Sequence, residues 1–101
     1  MLTSKQRAQL RGLAATEDTI VHIGKGGITD NIVTQMNDAL KARELVKGRV
    51  LENSLLTARE ACDALAETCR AEPVQVIGSK FVLYKRKEQK PKIELVKKAK
   101  K

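Results

Sequence analysis

Aromatic side chains are nearly absent from this sequence of 101 residues. Phe81 and Tyr84 are the only two, and tryptophan does not occur. Domains that bind RNA by stacking bases on a β-sheet need exposed aromatic rings, so the composition disfavours that mode of binding. Hydrophobic residues still make up 42% of the chain. A globular core is therefore expected, built from leucine, isoleucine, valine and alanine.

Membrane and secretion signals are also missing. No apolar run approaches the ~20 residues of a membrane span, and the polar segment from Met1 to Arg7 lacks the apolar centre of a signal peptide. Cys62 and Cys69 fall in one helical segment. At ~1.5 Å rise per residue they lie roughly 10 Å apart, too far for a disulfide with each other. We expect buried, reduced thiols in a cytoplasmic protein.

Residues for catalysis and for metal binding are scarce. The single histidine, His22, lies within an apolar strand, so a packed histidine is favoured over a general base. His22, Cys62 and Cys69 are too few for a zinc site, and no Cys-x-x-Cys occurs. The chain does not fit a Walker loop and is too short for a two-half Rossmann fold. We expect no enzyme, no cofactor, no metal and no small-molecule substrate.

Positive charge is concentrated at the end of the chain. Of the net charge of +8, residues 85–101 contribute nine Lys/Arg and two Glu, whereas residues 1–84 carry eleven Lys/Arg and ten Asp/Glu. Such a tail attracts polyanions without sequence preference through counterion release. The division predicts a domain over residues 1–87 and a flexible lysine-rich tail over residues 88–101, with nucleic acid favoured as the partner.

The hydrophobic pattern predicts helix, strand, helix, strand, helix, strand, strand. Strand–helix–strand units favour parallel pairing, and a Gly78-Ser79 turn makes the last two strands antiparallel. The predicted class is α/β (α+β), a mixed four-stranded sheet with helices on one or both faces. The predicted elements are a helix capped by Thr3 and Gln6, helices starting at Thr29 or Asp30 and at Asn53 or Ser54, and strands over residues 19–23, 45–51, 74–77 and 81–84.

Two further expectations concern the core. Gly48 stands in the second strand where a β-branched residue is expected, which predicts weaker packing and a bulge. The third helix has an apolar stripe spaced by three and four residues. Its members are Leu55, Ala58, Cys62, Leu65 and Cys69.

The motif with most chemical meaning is Gly24-Lys25-Gly26-Gly27, which lies between a buried strand and the start of a helix. Glycines let the backbone approach a phosphate closely, and the helix that follows offers free N–H groups and the positive end of its dipole. Lys25 adds a mobile cation. The stretch therefore predicts a site for a nucleic-acid phosphate, although a simple strand-to-helix turn would use the same residues.

Taken in order, several stretches resemble the CRM domain, named for chloroplast RNA splicing and ribosome maturation, and its single-domain bacterial YhbY-like members. The resemblance covers roughly residues 2 to 87. The stretches that carry it are Leu10-Arg11-Gly12-Leu13-Ala14, Val21-His22-Ile23-Gly24-Lys25-Gly26-Gly27-Ile28-Thr29, Glu44-Leu45-Val46-Lys47, Val74-Gln75-Val76-Ile77-Gly78 and Phe81-Val82-Leu83-Tyr84-Lys85.

The resemblance implies a fold similar to the C-terminal domain of translation initiation factor three. It also implies RNA binding through the Gly-x-x-Gly loop and a basic surface, in association with precursors of the large ribosomal subunit. We expect a monomer that does not bind membranes; a module that contacts a ribosomal protein is the alternative. The implied RNA-binding residues are Gly24, Lys25, Gly26, Gly27 and Thr29, with Lys5, Arg7 and Arg11 of the first helix.

Overall fold

The computed structural model describes residues 3–86, and the predicted order of elements is confirmed within them. The lysine-rich tail predicted over residues 88–101 lies outside the described residues. The seven elements are α1 Ser4–Ala14, β1 Thr19–Ile23, α2 Asp30–Arg43, β2 Leu45–Val50, α3 Ala58–Cys69, β3 Glu72–Ile77 and β4 Lys80–Tyr84.

The four strands form one mixed sheet in the order β1-β2-β4-β3. Strand β1 runs parallel to β2, while β4 runs antiparallel to both of its neighbours. This confirms the predicted mixed sheet. The last strand of the sequence thus lies inside the sheet, and β3 forms one edge.

Helices cover both faces of the sheet, so the domain has three layers. On one face, α2 and α3 enclose the larger core, which includes Met36, Leu40, Leu65 and the ring of Phe81. On the other face, α1 packs against β2, β3 and β4. Its smaller core contains Leu10, Ala14, Leu45, Val74, Val82 and Tyr84.

Helix α1 ends over the middle of the sheet. The Nζ atom of Lys47 in β2 donates a hydrogen bond to the carbonyl oxygen of Ala14, at 3.2 Å. A cation at this position satisfies one of the last carbonyls of the helix and complements the negative end of its dipole. The contact therefore ties the end of α1 to β2.

The helix starts follow capping chemistry, and one prediction was wrong. Thr3 and Gln6 form the expected capping box, and Thr29 caps α2. Helix α3 is capped by Thr57, with a capping box to Glu60, and not by Asn53 or Ser54. The reciprocal bonds at Thr57 satisfy two backbone donors, whereas Ser54 accepts only the N–H of Leu56 within the preceding loop.

Because α3 begins later than expected, Leu55 does not belong to its apolar stripe. Its side chain is 94% exposed in the loop before the helix. The other predicted members of the stripe, Ala58, Cys62, Leu65 and Cys69, are buried. The spacing of three and four residues correctly predicts the buried face of α3, but the prediction that this face begins at Leu55 was wrong.

Gly48 does not weaken the core, contrary to the expectation. The ring of Phe81 lies across it, and a Cβ atom at Gly48 would come within 2.7 Å of the ring atom Cε1. Glycine is required here because an aromatic ring occupies the space of a side chain. The irregularity in pairing lies in the neighbouring strand, between Thr19 and Val21 of β1.

Strand β3 starts at Glu72, before the predicted Val74, and so includes Pro73. Proline lacks a backbone donor but is tolerated in an edge strand. The pairing with β4 shifts register between Pro73 and Gln75, where the irregularity accommodates the missing donor. Helix α3 ends at Cys69, before the chain reaches Pro73.

Candidate functional site

The loop after β1 is a tight turn that presents its two central residues to solvent. The N–H of Gly27 donates to the carbonyl oxygen of Gly24 at 3.1 Å, which closes the turn. Lys25 and Gly26 lie between them, and both are exposed. The turn therefore holds one cation and one side-chain-free backbone segment at its tip, as a phosphate site needs.

The glycines of the loop have different structural roles. Gly27 has φ of +71°, a left-handed conformation that favours glycine. Gly26 does not have positive φ, and a Cβ added there would meet Thr29 Cγ2 at 3.5 Å, an ordinary contact. Gly27 is thus needed to shape the turn, whereas Gly26 leaves its surface open.

The glycine loop is held against the connection between β2 and α3. Leu51 donates its N–H to the carbonyl oxygen of Ile23 at 2.8 Å, continuing the pairing of the parallel strands up to the loop. A Cβ at Gly24 would lie 3.6 Å from Asn53 Oδ1, and one at Gly27 would lie 3.8 Å from Leu56 Cδ1. The loop is therefore supported from one side and open on the other.

Helix α2 begins directly after the loop. Thr29 Oγ1 accepts the N–H of Ile32 at 3.2 Å, and the other N–H groups of the first turn have no acceptor within the helix. The positive end of a 14-residue helix lies at this point. The carboxylate of Asp30 in the first turn offsets part of that positive potential. The side chain of Lys25 therefore supplies the additional positive charge next to the helix end.

The basic residues of α1 lie apart from the glycine loop. Lys5 and Arg11 are exposed and Arg7 is partly buried, and their helix packs on the face of the sheet opposite to α2 and α3. Arg11 lines a shallow cavity with Lys47 and Lys80, whereas Arg7 lies near Arg59 beside β3. The predicted site residues therefore form two regions and not one.

His22 is not packed in the core, which corrects the expectation drawn from its apolar strand. Val21 and Ile23 on either side are buried against α2 and α3. Alternation along the strand turns His22 to the opposite face, where it is exposed. There it pairs with Arg49, which in turn pairs with Lys80. Lys47 and Arg49 alternate with other residues along β2, and this alternation was the sequence signal for basic side chains on this face of the sheet.

The thiols are suited to packing and not to chemistry. Cys62 and Cys69 are free and buried. Burial raises the pKa of the Cys62 thiol to about 11, with a further rise from Asp63 and an opposing effect of Arg59. Burial also raises the pKa of Cys69, against a smaller lowering by Lys85. Because the thiolate is the nucleophile, neither residue is activated.

We expect iodoacetamide at pH 8 to leave both cysteines of the folded protein unmodified, and to label both in concentrated urea. The raised pKa keeps the thiols protonated, and burial excludes the reagent. Mass spectrometry over a time course gives the extent of labelling. Labelling of the folded protein at the rate seen in urea would contradict this result.

Other features bear on the class of site. In the part of the chain that the structure describes, no group of three or more His, Cys, Asp or Glu could hold a metal ion. No helix among residues 3–86 is long and apolar enough to cross a membrane.

Residues 2–85 match the CRS1 / YhbY (CRM) domain. The chain belongs to the CRM family. This confirms the resemblance seen in the sequence and places the chain in a family that is not enzymatic.

Similar proteins share nearly the full length of the chain. A Bacillus subtilis protein named probable RNA-binding protein YqeI is 42% identical over 94% of this chain and 99% of its own length. An RNA-binding protein of Haemophilus influenzae is 33% identical over 96% and 97%, respectively. The solution structure of SAV1595 from Staphylococcus aureus, described as a candidate RNA-binding protein, superposes with a TM-score of 0.72 at 45% identity, covering 95% of this chain and all of SAV1595.

Proposed function

We propose that this protein binds RNA of the large ribosomal subunit precursor in the cytoplasm and acts in the assembly of that subunit. The exposed turn at Lys25 and Gly26 takes an RNA phosphate, and the first turn of α2 contributes N–H groups to it. The main support is the placement of this turn directly before the amino end of a 14-residue helix. Relatives of the chain that are named RNA-binding proteins add to it.

The chemistry of the turn suits a polyanion better than a protein surface. The tip offers a cation and bare backbone with no apolar side chain, and backbone N–H groups with a lysine are the usual partners of phosphate. Thr29 fixes the start of the helix through its bond to Ile32. Lys5, Arg7 and Arg11 extend the interface on the other face of the sheet by charge, as the family resemblance implies.

The test is a fluorescence-anisotropy titration of large-subunit ribosomal RNA fragments with the wild type and a Lys25→Asp, Gly26→Asp double variant. Both substitutions are compatible with the turn because neither residue has positive φ. We expect at least about a tenfold loss of affinity, equal to ~1.4 kcal/mol. An unrelated structured RNA of equal length shows whether ribosomal RNA is preferred.

The matched control is Lys41→Glu with Ala42→Glu, which changes the net charge equally at exposed positions of α2 away from the loop. It should bind more tightly than the loop variant if the loop contacts phosphate. Equal loss in both variants would show that only total charge matters. Circular dichroism verifies that all three proteins are folded. Binding to a ribosomal protein that survives nuclease treatment, without RNA affinity, would favour the alternative of a protein-interaction module.

A further inference from the structure

A row of basic side chains crosses the sheet on the face that carries α1. Pairing places His22 beside Arg49, Arg49 beside Lys80, and Lys80 beside Ile77. Arg49 follows Lys47 by two residues and so points to the same face as the lysine that contacts Ala14. His22, Arg49 and Lys80 are exposed, and Lys47 is half-buried.

Helix α1 leaves this end of the sheet uncovered. The helix packs on Leu45, Val82 and Tyr84 and stops at Ala14. Beyond its end lies a cavity of about 300 Å³ lined by Arg11, Lys47, Lys80 and neighbouring residues. None of the described residues that line it is acidic. We call Arg11, His22, Lys47, Arg49 and Lys80 the open sheet surface.

The helices on the opposite face of the sheet carry an excess of acidic residues, whereas Glu17 and Asp18 lie in the connection from α1 to β1. Helix α1 contains no Asp or Glu, while α2 and α3 on the opposite face carry five acidic and three basic residues. A polyanion is therefore attracted to the open sheet surface and repelled from α3. The acidic residues of the two helices are Asp30, Asp38, Glu60, Asp63 and Glu67.

Arg49 and Lys80 are like charges at directly paired positions of β2 and β4. Such a pair destabilises a sheet, and neither residue has an ion-pair partner within 4.0 Å among residues 3–86. An external anion that bridges the two cations would remove the repulsion. The surface is therefore complementary to a ligand with closely spaced negative charges.

The surface also indicates which part of RNA it contacts. Both Phe81 and Tyr84 are buried in the cores, so the imidazole of His22 is the one ring that the row offers for base stacking, and its other basic members are cations that suit phosphates. Phosphates and 2′-hydroxyl groups are what an RNA double helix presents to a protein. We propose that the open sheet surface binds the backbone of double-helical RNA. This second contact region deepens, and rests on, the proposed RNA-binding function.

The test compares wild type, Arg49→Gln with Lys80→Gln, and the control Lys41→Gln with Arg43→Gln, which removes the same charge from α2. The probe is a fluorescent RNA hairpin duplex, titrated at several salt concentrations. We expect the sheet variant to bind about tenfold more weakly than the control. For the sheet variant, the slope of log affinity against log salt concentration should be smaller in magnitude than that of the wild type by about 2, because two phosphate contacts are lost.

A stability measurement separates a binding role from a structural one. Removing the like-charge pair should leave the urea midpoint of the sheet variant unchanged or raise it, so weaker binding cannot be attributed to unfolding. A sheet variant that matches the control in affinity and salt slope would overturn the inference. In that case, loss of binding by the Lys25→Asp, Gly26→Asp variant would still support the phosphate site at the glycine loop. Wild-type preference for a single strand of equal length over the hairpin would overturn the duplex assignment. Wild type that binds neither RNA would overturn the proposed function itself.

Discussion

Replacing Gly48 with valine is expected to destabilise the domain by about 3 kcal/mol. The added Cβ would lie within 2.7 Å of Phe81 Cε1 and 3.0 Å of Cε2, and the branched side chain needs still more room. Phe81 is fully buried against α2 and α3 and cannot swing aside. Urea unfolding monitored by circular dichroism measures the loss as a lower midpoint at an unchanged slope.

Two variants make this prediction specific to the ring. Phe81→Leu in the Gly48→Val background should recover part of the lost stability, with a coupling free energy of about 1–3 kcal/mol. Gly12→Ala is the control for replacing a glycine where the added side chain meets no other atom. Its added Cβ meets no atom within 4 Å, so it should stabilise α1 by up to ~1 kcal/mol. Strictly additive effects of the Gly48 and Phe81 changes would show that the ring does not impose the glycine.

Replacing Gly27 with alanine should lower RNA affinity several-fold and stability by about 1–2 kcal/mol. The φ of +71° is unfavourable for a residue with a Cβ atom, so the turn closed by the Gly24 carbonyl must distort or pay that strain. Lys25 would then be presented at a different position relative to α2. Anisotropy titration and thermal unfolding measure the two effects.

Gly26→Ala is the matched control for this change. It adds the same methyl group to the adjacent residue, where φ is not positive and the nearest atom is Thr29 Cγ2 at 3.5 Å. Its stability should stay near that of the wild type. If both alanine variants unfold alike, the turn does not depend on the left-handed conformation of Gly27.

Much of the fold could be predicted because local signals agreed with the tertiary arrangement. The capping box at Thr3, the Gly78-Ser79 turn and the periodicity of α2 each depend on a few adjacent residues. The start of α3 was misplaced because Asn53, Ser54 and Thr57 are all good capping residues. Only the box to Glu60 distinguishes Thr57.

Features that depend on distant residues could not be predicted. The need for glycine at Gly48 follows from a ring that lies 33 positions later in the sequence and reaches it only through the pairing of β2 with β4. The row that joins His22, Arg49 and Lys80 requires the order of strands in the sheet, which sequence periodicity does not determine. The position of the loop at Gly24 could be predicted because all of its parts are contiguous, and its role as a phosphate site stays a prediction.

The position of β4 also has a consequence for the order of events during synthesis. This strand is the last of the four to be made, yet it lies between β2 and β3, pairing Leu45 with Tyr84 and Val76 with Phe81. Until it emerges, β1 and β2 can pair only with each other, and Phe81 and Leu83 are missing from the core. Pairing between residues far apart in the sequence forms slowly. The nascent chain therefore lacks one of the two inner strands of its sheet until residue 84 has left the ribosome.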